Sequence, residues 1–67
     1  MIDWIEFGRM LRRTRGQRKL GLREIARDLG VSPTTILRAD RGESVSAEIF
    51  MMIAVYVLDI DPRVLLK

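Results

Sequence analysis

The sequence predicts an all-α fold, a bundle of four to five short helices, on three observations. Leu22, Ile25, Ala26 and Leu29 recur at i, i+3, i+4 and i+7, the spacing of one apolar helix face. Gly30 then stops that helix, because glycine enters the left-handed region without a side-chain clash, and Ser32-Pro33 starts another two residues later. The third is a capped first segment whose apolar stripe has the same period. Two helices of about two turns joined by a glycine-containing turn form a helix-turn-helix arrangement.

In chain order, the first helix is expected over about 3–16. Asp3 caps it, Glu6 stands where a capping box needs it, and Ile2 and Phe7 are spaced as a hydrophobic staple. Trp4, Phe7, Met10 and Leu11 form its inward stripe. The second helix covers 22–29 with Gly21 at its N-cap. The third covers 33–40, carries Ile36 and Ala39 inward and closes at Gly42. Residues 43–48 make a loop into a fourth helix, about 46–58, capped by Ser44 or Ser46. Its residues 49–58 are ten apolar or aromatic side chains without a charge, too few to span a bilayer. Asp61 and Pro62 open a last short helix, 62–66.

The chain of 67 residues is expected to be one domain, residues 1–67, with a marginal core, since a chain of this size buries only ~60% of its surface. It has neither cysteine nor histidine, so it offers no disulfide framework, no thiolate metal site and no imidazole base. No catalytic constellation, metal-ligand spacing or phosphate-cradling loop is visible, so the expectation is a protein that is not an enzyme and takes no cofactor or metal. The first residues lack the basic and apolar regions of a signal peptide, and a cytoplasmic protein without a membrane partner is expected. Charge is asymmetric. Residues 1–42 hold ten basic and five acidic side chains, whereas residues 43–67 hold two and four. Arg9, Arg12, Arg13, Arg15, Arg18 and Lys19 follow one another without an intervening acid, the footprint of a polyanion partner.

The central stretch also resembles the phage-repressor family of DNA-binding domains, which includes lambda repressor, Cro and their Xre-type relatives. Ala26, Gly30, Val31, Ser32, Ile36, Asp40 and Gly42 match at the family's spacing. Phe7-Gly8, Leu11-Arg12, Arg15 and Leu20 match upstream, and Leu58, Ile60, Asp61 and Pro62 match its closing L-x-V-D-P pattern, so the likeness covers roughly residues 7–62. It implies a lambda-repressor-like bundle with the first helix packed on the helix-turn-helix. It also implies a structural pair between Arg15 and Asp40, although the family more often has glutamate at the second position. Gly21 and Leu22 depart from the family's polar residues at the start of the second helix.

On this reading the third helix enters the major groove of double-stranded DNA. With Ile36 and Ala39 inward, Pro33, Thr34, Leu37 and Arg38 are the expected base contacts. Arg38 suits a bidentate bond to guanine, Thr34 a base edge or a thymine methyl, and Leu37 and Pro33 apolar contact. Ser32, Thr35, Arg41, Arg18, Lys19 and the N-terminus of the second helix at Leu22 are the expected phosphate contacts. A fourth helix apolar on all sides needs more cover than so short a chain provides. Phe50, Met51, Val57, Val64 and Leu65 are therefore expected at a homodimer interface. The function predicted is a transcriptional regulator, most simply a Cro-like or repressor homodimer on a pseudo-palindromic operator. The alternative is a protein-interaction module of antitoxin or anti-repressor type that uses the fourth helix.

Overall fold

Caps and turns divide the chain where the sequence marks them. The computed structural model describes residues 1–67. Four α-helices follow in order: α1 (Trp4–Arg18), α2 (Leu22–Leu29), α3 (Pro33–Asp40) and α4 (Ala47–Met52). α4 continues directly into a π-helical segment, Ile53–Leu58, and a 3-10 turn, Pro62–Leu65, follows. The fold is all-helical. Its one β feature is an isolated antiparallel bridge between Ile2 and Leu66.

Each start has a stated cause. The Asp3 carboxylate accepts the Glu6 N–H at 3.1 Å, Ser32 Oγ accepts the Thr34 N–H at 3.1 Å, and Ser46 Oγ accepts the Ile49 N–H at 3.2 Å. The reciprocal half of the capping box at α1 does not form. The Asp3 N–H donates instead to the Leu65 carbonyl at 2.7 Å, so pairing of the two terminal segments satisfies the donor that Glu6 was expected to reach. α1 also runs two residues beyond the expected end. It stops at Lys19, which adopts φ 55° and sends its N–H to the Arg15 carbonyl, a left-handed cap without glycine. At the 3-10 turn, the Asp61 carboxylate accepts the Arg63 N–H at 3.0 Å and the Arg63 guanidinium at 2.6–3.1 Å. These bonds pull the Asp61 carboxyl down to about 2.

The core joins Phe7 and Leu11 of α1, Ile25 and Ala26 of α2, Ile36 and Ala39 of α3, and Phe50, Ile53 and Val57 of α4 and its extension. Trp4, Phe7 and Phe50 meet edge to face with ring centroids 4.9–6.0 Å apart. Gly8 sets how closely α1 approaches the end of α3. A β-carbon there stands 2.8 Å from both the Ala39 carbonyl oxygen and the Gly42 nitrogen. Glycine inside a helix costs about 1 kcal/mol relative to alanine, and this backbone-to-backbone contact is what the cost permits.

The apolar stretch behaves differently from the expectation. Phe50, Ile53, Ala54, Val57 and Leu58 are all buried within the chain itself. The i→i+5 bonding of the π-helical segment gathers Ile53, Ala54, Val57 and Leu58 more nearly onto one side than α-helical turns do. The paired termini supply further cover: Leu65 is 2% exposed, and the Lys67 N–H donates to the Met1 carbonyl at 2.7 Å. Phe50, Val57 and Leu65, expected at a dimer interface, therefore belong to the monomer's core. Met51 and Val64 remain outside, together with Val55, Tyr56 and Leu66.

Candidate nucleic-acid interface

The buried side of α3 is Ile36, Ala39 and Asp40, so helical periodicity turns Thr34, Arg38 and Arg41 directly outward. All three are exposed. Pro33 and Leu37 flank that ridge on the side of α2. With Thr34, Leu22, Arg23 and Arg15 they line an open recess of about 530 Å³. Thr35 lies half-buried, its N–H donating to the Ser32 carbonyl at 3.0 Å. Three of the four expected base-contact residues thus line one recess, and Arg38 stands on the same outward ridge of α3 as Thr34. The start of α2 borders it.

α3 is held in that attitude by charge-assisted bonds to α1. Arg15 Nε and Nη2 donate to the two carboxylate oxygens of Asp40 at 3.0 and 3.1 Å, a bidentate pair that is well shielded on the aspartate side. The shorter side chain of aspartate reaches because Gly8 lets the end of α3 lie against α1. Arg15 Nη1 also donates to the Leu20 carbonyl at 3.5 Å, and Arg12 Nη1 donates to the Asp40 carbonyl. The latter bond satisfies one of the orphan carbonyls that end a helix. One arginine thus ties α1, the α1–α2 connection and α3 together.

The remaining side chains differ in how free they are. Arg38 leans back on the following loop, with Nε 3.7 Å from Glu43 Oε1 and Nη2 donating to the Ser44 carbonyl at 3.4 Å. More than half of each of the two side chains is exposed, and such a pair is worth ~0–1 kcal/mol, so Arg38 turns outward at little cost. Arg41 and Lys19 are exposed and form no ion pair. At the start of α2 the Gly21 N–H donates to Glu24 Oε1 at 3.3 Å, so a carboxylate already stands near Leu22. Arg18 has a partner that the sequence does not suggest. Its Nη1 donates to the Val57 carbonyl at 3.0 Å, and it borders a groove with Met52 and Tyr56. The sequence reading missed Arg23. Its signal was an exposed cation in the first turn of α2, beside the N-terminus of α3.

Two further properties bound the chemistry. No three carboxylates cluster to hold a metal ion. No helix is long and apolar enough to cross a membrane.

A shielded ion pair that fixes one short helix, and an outward polar face on that helix next to a second helix N-terminus, define a helix-turn-helix module of the DNA-binding class. A family model described as a helix-turn-helix domain matches residues 6–54, most of the chain, and the protein belongs to that family. The matched span begins two residues into α1 and contains α2 to α4 and all the residues of the α3 surface. No curated protein and no solved structure matches the chain.

Proposed function

We propose that the protein is a sequence-specific transcriptional regulator of the phage-repressor type, acting as a Cro-like or repressor homodimer on a pseudo-palindromic operator. The observation that carries this reading is the outward face of α3, held to α1 by the bidentate Arg15–Asp40 pair. Thr34 and Arg38 read base edges in the major groove, and Pro33 and Leu37 contact thymine methyls. Ser32, Thr35, Arg41, Lys19 and the Leu22 N–H hold phosphates, and Arg23 joins them from the rim of the recess. A single α3 covers only a few base pairs, and two copies related by a two-fold axis reach half-sites ~34 Å apart. The α4 half of the chain exposes Met51, Val55, Tyr56, Val64 and Leu66, more apolar surface than one two-fold contact needs, and a part of it supports such a pairing.

Selection from a random duplex pool tests the proposal. Enrichment of a palindrome with half-sites about ten base pairs apart is the expected result. Recovery of unenriched DNA at every salt concentration would contradict it and favour a protein-interaction module.

A further inference from the structure

A groove of about 430 Å³ opens between the end of α1, the outer side of α2 and the π-helical segment. Leu20, Ile25, Leu29, Met52 and Val57 line it. Its remaining walls are Arg18, Asp28 and Tyr56, and Tyr56 is 73% exposed, so an aromatic ring projects beside an apolar recess. None of these side chains serves the α3 surface.

We propose that this groove is where a second copy of the chain docks, Tyr56 of each copy seated in the groove of the other and Arg18 of each facing Asp28 of the other. The inference rests on the homodimer reading and gives it a location. A two-fold contact uses the same patch twice, so the patch must be complementary to itself. This one carries both a projection and a recess, both a cation and an anion. Arg18 and Asp28 are in no ion pair within the chain. The single bond from Arg18 to the Val57 carbonyl fixes the guanidinium at the edge of the groove and leaves its other N–H groups for a carboxylate. The second apolar recess, beside Phe50, Met51 and Leu66, has no such complement. Its charges, Asp61 and Arg63, already satisfy each other at 2.6 Å.

Sedimentation equilibrium on the full chain tests this with charge reversals. Arg18→Glu brings two acids together across the axis, and Asp28→Arg brings two arginines together. Each is expected to raise the dissociation constant by about tenfold or more. An equimolar mixture of the two variants pairs opposite charges at both contacts and is expected to dimerise again, as a heterodimer only. Tyr56→Ser, at a side chain that lies mostly outside the core, is expected to dissociate the dimer with helical content unchanged, while Leu66→Glu leaves it intact. Folded single variants whose mixture stays monomeric would overturn the inference. So would a dimer that survives Tyr56→Ser and is broken by Leu66→Glu, a result that keeps the homodimer reading. An unmodified chain that is monomeric at about 100 μM would defeat both readings.

Discussion

Replacing Arg15 by Met removes the cation that faces Asp40 and keeps most of the side-chain volume. The Asp40 side chain is 10% exposed and that of Arg15 is 24% exposed. Breaking a fully buried pair costs ~3–5 kcal/mol, because the surviving charge stays desolvated without its partner. Partial access of water at Arg15, and the Arg12 guanidinium at the Asp40 carbonyl, soften the loss, and about 2–3 kcal/mol is expected. Asp40→Asn is expected to cost about the same, because Arg15 then loses its counter-charge and keeps only neutral acceptors, the amide oxygen and the Leu20 carbonyl at 3.5 Å. A chain of this length has roughly 3–10 kcal/mol to lose, so each variant gives up a large share of its stability. Combining the two changes leaves no stranded charge. The double variant is expected to lose about 1–2 kcal/mol less than the two single losses together. Urea unfolding followed by Trp4 fluorescence measures this, since Trp4 packs on Phe7 and Phe50. Losses that add within about 0.5 kcal/mol would show that the pair contributes nothing as a pair.

Gly8→Ala is expected to destabilise by about 1–2 kcal/mol in urea unfolding, since overpacking against two backbone atoms outweighs the better helix propensity. A gain of stability would mean that α1 and α3 separate freely. Arg38→Ala is expected to cost about 1–3 kcal/mol on a selected operator and little on random DNA, whereas Arg41→Ala weakens both similarly and flattens the salt dependence. Fluorescence anisotropy separates them, and equal losses for Arg38→Ala on both duplexes would move Arg38 to the phosphate contacts. The Asp61 carboxyl is lower in the folded chain, about 2 against its usual 3.8, so its contribution is complete above pH 3.8 and fades as pH falls toward 2. Melting temperatures of the protein and of Asp61→Asn are therefore expected to differ at pH 5 and to converge near pH 2. A constant gap would place the aspartate's effect outside its ionisation.

Much of this architecture was legible because its determinants are local. The apolar period of Leu22 to Leu29, the stop at Gly30 and the Ser32-Pro33 start place α2 and α3 without reference to the rest of the chain. The Arg15–Asp40 pair is not local and came from family resemblance; no spacing within one helix brings those residues together. Two features escaped for physical reasons. The chain after Lys19 turns through a left-handed lysine, and propensity assigns that role to glycine. The apolar stretch 49–58 reads as too large for the chain to cover, because neither the π-helical register nor the pairing of Ile2 with Leu66 has a sequence signature. Those two features bury Val57 and Leu65, where a new charge would unfold the protein before it separated a dimer. The bond that Arg18 makes is illegible for a similar reason. Its sequence neighbours are cations, but its partner is a carbonyl 39 residues away.

Methylation interference on a selected operator addresses the central claim, that the outward face of α3 reads bases from the major groove. Guanine N7 lies in that groove and adenine N3 lies in the minor groove. Methylation of guanine N7 at one or more positions in each half-site is expected to abolish binding, and Arg38→Ala is expected to remove that sensitivity. Adenine N3 methylation at the same half-sites is expected to have no effect. Binding indifferent to N7 methylation throughout the site, or blocked only by methylation in the minor groove, would contradict the assignment of α3 as the reading helix.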